Sequence, residues 1–370
     1  MHYEIENLPL QTLLPAIGRA EDQLARLDEM VRRSPVGKGF VERGHFFDAA
    51  ASMWVAGELV HVEDLVLHDA HMDIRAPTHE LTMSHSILRT RRRIADADPV
   101  WAISGPGISA LAGLTAGIDR APDKAPPPDV ESGHLSSDDQ EALSAEFAAI
   151  DAVIERSRRI LEGEGTPNIS NGTPQSIIVG ELVIRDAEWD EQGRIEQWKA
   201  IVREVETMPP TLAAVILWDA WEALEPLQNR YWIGPLLVGA WLRSRGKIVS
   251  HLFCFNVGLK AIPRERRRSR NQTTRLLAAL DAMSAAADAG MTDISRLSQA
   301  KDQMERRLRG KRSSSSLPAA IELILSRPIV SAAMMAKTAT VTQRGALNLI
   351  RELGVREMTG RGRYRAWGVL

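Results

Sequence analysis

Cysteine is almost absent from this 370-residue chain, where Cys254 stands alone. A single thiol can form neither an intramolecular disulfide nor a thiolate metal cluster, which fits a reducing compartment. The N-terminal stretch MHYEIENLPL lacks a basic n-region and an apolar h-region, so no secretory signal is expected. Long hydrophobic runs are missing as well. The longest, Leu212 to Trp218, falls far short of the ~18–20 residues that span a membrane. No internal repeat is evident, and metal-site spacings such as H-E-x-x-H do not occur. These absences point to a cytoplasmic chain without membrane contact. The hydrophobic share of 44% excludes wholesale disorder.

Net charge is also scarce, with 46 Lys and Arg against 48 Asp and Glu, for a total of −2. That balance conceals a split. Residues 1–229 carry −19 and residues 230–370 carry +17. An asymmetry of this size marks the basic half as the side for a polyanion partner.

Most segments read as helix. In Leu8 to Val31, residues Leu10, Leu13, Leu14, Ile17, Leu24 and Leu27 recur at helical spacing. Phe46 to Leu59 and Ile87 to Ala97 continue the theme. Between Thr211 and Arg245, Trp218, Trp221, Trp232 and Trp241 are expected in the core. Leu276 to Ala289 and Ile294 to Leu308 read as two further helices. Ser137 to Leu161 looks like a capped helix, and Val179 to Ile184 fits a strand or a helix start equally. The expected fold is mainly α, a multi-helix body followed by a C-terminal winged helix-turn-helix. The expected division is a helical region at 1–118, a Pro-rich linker or loop at 119–135 and a central helical domain at 136–309, basic from about 243. A Ser-rich hinge at 310–317 and the winged helix at 318–370 follow.

The C-terminal segment carries the most specific pattern. Pro318 to Arg327 is amphipathic and stopped by Pro328. Ser331 can cap Ala332 to Lys337, and Thr342 can cap Gln343 to Leu353, which ends at Gly354. Ala346, Leu349, Ile350 and Leu353 form the apolar side of that last helix. Its other side shows Gln343, Arg344, Asn348 and Arg351. Helix, short turn, helix is the layout that reads the major groove. Gln and Asn can bond adenine, and Arg can bond guanine. Thr340 and Thr342 lie at the turn, within reach of phosphates or bases. Thr359-Gly360-Arg361-Gly362 between two strand-like runs reads as a wing, extended by Arg363, Tyr364 and Arg365. Residues 313–370 sum to +5, which a phosphate backbone rewards. A dimerisation module is the alternative use of the same layout. Arg264, Arg266, Arg267, Arg268 and Arg270 form a second basic run.

Other motifs invite an enzyme interpretation. Gly105 to Ala110 fits G-x-G-x-x-A, but no strand and helix alternation surrounds it. His61, His68, His71, His79 and His85 lie close together among Glu63, Asp64, Asp69, Asp73 and Glu80, a composition from which a metal or acid–base site could be built. Asn168-Ile169-Ser170 and Asn171-Gly172-Thr173 read as polar turns. Cys254, between Phe253 and Phe255, reads as a buried apolar residue. No cofactor and no metal are expected.

The strings Val62 to Ala70, Leu88 to Arg93, Ser313 to Pro318 and Thr359 to Gly368 resemble a family of bacterial proteins. That family pairs a domain of unknown function with a C-terminal helix-turn-helix DNA-binding domain. The resemblance implies a double-stranded DNA partner and no known reaction. In layout, the helical body before a winged helix is similar to the longer Fic-type adenylyltransferases. Their motif is His-Pro-Phe-x-Asp/Glu-Gly-Asn-Gly-Arg, and Glu225 to Ile233 matches it only at Pro226. The combined expectation is a transcriptional regulator whose body forms a homo-oligomer and receives a small-molecule or protein effector. The alternative is a divergent Fic-like nucleotidyltransferase or a metal-dependent enzyme using His61 to His85.

Overall fold

In the computed structural model, residues 3, 5, 8–73, 76–113, 189–309, 316–359 and 365–369 are described. The expected linker at 119–135, the capped helix from Ser137, the segment Val179 to Ile184 and residues 310–315 of the hinge lie outside them. So do the wing residues Arg361, Arg363 and Tyr364.

Four helices come first: α1 (Leu10–Arg33), α2 (Gly37–Ala56), α3 (Val62–Asp69) and α4 (His79–Asp96). A short 3-10 turn, Trp101–Ile103, leads into α5 (Gly105–Ala112). The G-x-G-x-x-A stretch is therefore the start of a helix, capped by Ser104, rather than a strand-to-helix turn. Beyond residue 188 come α6 (Glu191–Glu204), α7 (Pro210–Leu224), α8 (Ile233–Ser244), α9 (Phe255–Ala261), α10 (Arg264–Arg267) and α11 (Gln272–Leu308).

The long helix α11 organises the body. Its flanks receive α1, α9 and α7, while α2 packs on α9 and α4. Two helices were expected here, and one of 37 residues is found. Gly290 does not interrupt it, because a Cβ there would crowd Leu27 Cδ1 at 2.9 Å and Phe40 Cζ at 3.3 Å. The glycine is a close-packing position inside the helix, not an end. The four tryptophans of 211–245 are all buried, as expected: Trp218 and Trp221 on α7, Trp232 before α8 and Trp241 on it. On α1 the expected apolar face is trimmed, since Leu13, Ile17, Leu24 and Leu27 are buried but Leu10 and Leu14 are exposed. A 3.6-residue period places Leu10 and Leu14 together at one margin of the stripe, outside the contact with α11.

Two buried polar knots tie these helices together. Asp48 on α2 accepts from Arg91 on α4, from Asn256 Nδ2 at 3.0 Å and from the Val257 amide at 3.2 Å. Arg91 also donates to the Leu252 carbonyl at 3.1 Å. Asp28 on α1 accepts from the Val249 and Ser250 amides and from the Ser250 hydroxyl. Both carboxylates replace lost hydration with several donors, the condition for burying a charge.

The C-terminal part contains α12 (Leu317–Ser326), β1 (Val330–Ser331), α13 (Ala332–Ala339), α14 (Gln343–Leu353), β2 (Arg356–Glu357) and β3 (Ala366–Gly368). The strands form an antiparallel sheet in the order β1-β3-β2, with Val330 opposite Trp367 and Arg356 opposite Gly368. Helix, strand, two helices and a two-strand ribbon joined into one small sheet is a winged helix. It shares one compact unit with the body helices.

Candidate nucleic-acid interface

Local chemistry sets both ends of the two motif helices. Ser331 caps α13, its Oγ accepting from the Met334 amide at 3.2 Å. Thr342 caps α14 in the same way, accepting from the Gly345 amide at 3.2 Å. Between them, Thr340 terminates α13 in the left-handed region at φ 52°. A β-branched residue there is strained, and the sharp turn it makes sets the angle between the two helices. Gly354 ends α14 at φ 66°. The Arg307 guanidinium from α11 lies against that glycine, where a Cβ would collide with it. A cation at a helix C-terminus is favoured by the orphan carbonyls there.

Helix α14 is sharply two-sided. Ala346, Leu349, Ile350 and Leu353 are buried. Gln343, Arg344, Asn348 and Arg351 are exposed, and no described body helix covers them. Arg351 approaches Asn348 Oδ1 at 3.5 Å, the long limit of a hydrogen bond. Leu347 shares this exposed side, 37% accessible, one turn after Gln343 and one before Arg351. Leu347 is not among the residues that the sequence pattern singles out. Its signal was a leucine outside the apolar stripe.

Around the sheet, Arg365 is engaged. Its Nε and Nη2 donate to Glu357 Oε1 and Oε2 at 3.0 and 2.6 Å, across the β2–β3 ribbon. The Glu357 carboxyl is lowered by that pairing, and the Arg365 guanidinium is raised by it. Arg365 also lies over the Trp367 ring, at 5.2 Å. Arg356 on β2 is exposed beside it and was not singled out from sequence.

The second basic run divides in two. Arg266 pairs with Asp281 at 2.7 Å, and buried Arg267 donates to the Ile262 carbonyl at 3.0 Å. Arg264, Arg268 and Arg270 are exposed. They precede the N-terminal end of α11, whereas α14 packs near its C-terminal end through Arg307. At 1.5 Å per residue the two ends are about 55 Å apart.

Helix α2 fastens the winged helix to the body through Gly39 and Arg43. Gly39 on α2 approaches α12 so closely that a Cβ would sit 2.8 Å from the Leu325 carbonyl oxygen. Arg43, one turn on, is buried and donates from Nη1 to the Arg327 carbonyl at 2.7 Å and from Nη2 to the Val369 carbonyl at 3.0 Å. Burial pushes its guanidinium down to about 10, against the opposing charge of Asp293.

Of the five clustered histidines, His68 and His85 lie at this junction, whereas His61, His71 and His79 are exposed. Asp69 accepts from Arg92 at 2.7 Å and from His85 at 3.3 Å, and Arg327 lies 3.5 Å from it. Burial alone would raise the Asp69 carboxyl, but these donors hold it well below its usual range. His68 contacts Asp73 at 2.9 Å and packs edge-on against His85. Asp69 is thus neutralised by arginines. Among the described residues no three His, Cys, Asp or Glu side chains converge to hold a metal ion. Cys254 is a free thiol that burial pushes up to about 12, so it is protonated and a poor nucleophile at neutral pH. In the stretch aligned with the Fic motif, Glu225 ends α7 at φ 43°, and Arg230 donates to the Leu111 carbonyl at 2.6 Å.

No helix among the described residues is long and apolar enough to cross a membrane. Residues 183–309 match the family model described as a protein of unknown function, DUF1612, and residues 317–370 match that of an HTH DNA binding domain. Over its whole length the chain is 43% identical to the uncharacterized protein y4cF of Sinorhizobium fredii (strain NBRC 101917 / NGR234), which is also covered completely. The chain thus belongs to one family with y4cF, and it joins a DUF1612 region to a C-terminal helix-turn-helix DNA-binding domain.

Proposed function

We propose that this protein is a sequence-specific regulator of transcription that lays α14 in the DNA major groove. The observation that carries the proposal is the uncovered side of α14. There Gln343, Arg344, Asn348 and Arg351 offer donors and acceptors for base edges, and Leu347 offers an apolar contact for a thymine methyl group. Thr342 spends its lone pair on the cap and keeps its hydroxyl proton for a phosphate. Thr340 lies beside it on the turn. Arg361, Arg363 and Tyr364 of the wing, together with Arg356, would contact backbone or minor groove. Arg365 joins them only by giving up Glu357. A homo-oligomer would read half-sites about 34 Å apart, one helical turn of DNA.

The test is selection from a random duplex library with the full chain at about 50 mM salt, followed by titration of the enriched duplex. Arg344→Ala is expected to cost about 1–3 kcal/mol on that duplex and to relax one base position. Leu347→Ala should lose discrimination at a thymine, and Arg361→Ala should weaken all duplexes and flatten the salt dependence. Failure to enrich any duplex at this salt overturns the proposal.

A further inference from the structure

Between α1, α2, α9 and α11 lies a cavity of about 220 Å³. It exceeds the ~150 Å³ apolar void that holds a benzene molecule. Its walls are apolar, with Phe40, Phe47, Phe253 and Leu297 among them. Trp54 and Leu59, both exposed, stand where it meets solvent. A pocket of apolar walls with a few charged groups is the usual form of a small-molecule site.

The charged groups are few and unequal. Arg43 and Lys260 supply two cations and Asp293 one anion. Lys260 lies over the Trp54 ring at 5.6 Å. Asp293 forms no ion pair with Arg43, and its ion pair is with Arg296, at 3.7 Å. Burial raises the Asp293 carboxyl. Burial holds the His251 imidazole down to about 4, so it adds no charge at neutral pH. The cavity wall therefore carries one positive charge in excess. Its buried guanidinium is held by two backbone carbonyls rather than by a carboxylate. Those carbonyls, of Arg327 and Val369, belong to the winged helix.

We infer that this cavity binds a small monocarboxylate with an apolar body, its carboxylate meeting Arg43 and its apolar part filling the space between Phe40, Phe47 and Phe253. A carboxylate is a stronger acceptor for guanidinium than a peptide carbonyl is. An occupant would draw Arg43 away from Arg327 and Val369, and so loosen the winged helix from α2. The binding site stands independently of the DNA function, while its effect on DNA rests on the regulator proposed above.

The experiment uses the full chain and three probes of equal length: octanoate, octanamide and octylamine. In calorimetric titration octanoate is expected to bind at least about tenfold more tightly than either of the others. Ala289→Trp plugs the cavity from an exposed position on α11 and should abolish the octanoate heat while leaving the thermal melt in place. Lys260→Met, also on the exposed rim, should weaken octanoate and leave octanamide unchanged. Equal binding of octanamide, tighter binding of octylamine, an unaltered Ala289→Trp titration, or no heat from any probe at ~10 mM would each overturn the inference. In the second arm, octanoate should shift the affinity of the wild-type chain for its selected duplex and leave that of Ala289→Trp unchanged. An unchanged duplex affinity in the wild type refutes the coupling. A chain that binds octanoate but enriches no duplex refutes the regulator and leaves the cavity site standing.

Discussion

Replacing Asp48 by alanine is expected to destabilise the body more than any other single change to its polar interior. Asp48 is fully buried, and its partner Arg91 is 1% exposed. Without the carboxylate, Arg91 remains buried with only the Leu252 and Phe253 carbonyls and the Cys254 sulfur as acceptors. Asn256 Nδ2 and the Val257 amide lose their acceptor as well. Stranding one member of a buried ion pair costs about 3–5 kcal/mol, and each orphaned donor adds about 1 kcal/mol or more. The expected loss is therefore about 5 kcal/mol, or ~10–20 °C in Tm for a unit of this size. Urea unfolding followed by far-UV circular dichroism measures it. The decisive companion is the double variant Asp48→Leu with Arg91→Met, which removes both charges and keeps the volume. It should recover to within about 2 kcal/mol of the wild type, because the cost lies in the unpaired charge and not in the missing pair. A loss below about 1 kcal/mol for Asp48→Ala, or a double variant worse than both singles combined, would refute this reasoning. The consequence reaches the winged helix, because Asp48 anchors the same helix that presents Gly39 and Arg43 to it.

Acid should weaken the fold well above the carboxylate range. Burial and nearby Arg91 hold His45 down to about 2, and burial holds His251 down to about 4, whereas both return to about 6.5 when unfolded. The unfolded chain therefore takes up these protons first, and stability present above pH 6.5 drains away as pH falls. Each histidine contributes a loss of about 2 kcal/mol between pH 7.5 and 5, some 4 kcal/mol together. Urea midpoints across that range check it, and a flat profile would show both rings solvated. Thr340→Gly should raise Tm slightly: relief of left-handed strain returns about 1–2 kcal/mol, and glycine's extra chain entropy takes back about half. If the Thr340 side chain also meets a phosphate, the same variant weakens all duplexes equally. A lower Tm would show that the side chain holds the turn.

Short-range signals made the C-terminal motif legible in the sequence. Caps at Ser331 and Thr342, a stop at Gly354 and an apolar stripe at Ala346, Leu349, Ile350 and Leu353 act within one or two turns, so spacing alone reveals them. Strand β1 escaped notice because two residues have no periodicity, and Val330 and Ser331 become a strand only through pairing with Ala366 and Trp367. The expected break between Ala289 and Ile294 is absent for a related reason. Glycine ends many helices, but here Leu27 and Phe40 close on it from segments far away in the chain.

The charge division between residues 1–229 and 230–370 is a property of the sequence by itself, as are the mainly helical class and the winged helix with one polar side on α14. Which charges remain available was decided only by the tertiary structure. Arg266, Arg267, Arg327 and Arg365 all spend their guanidinium groups within the protein, on partners that composition cannot name. Arg43 reaches carbonyls 284 and 326 residues further along the chain. Pairings over such separations carry no local pattern, because they arise where packed helices happen to bring a donor and an acceptor out of water together. The same packing leaves the cavity beside Arg43, a volume that no residue spacing can encode.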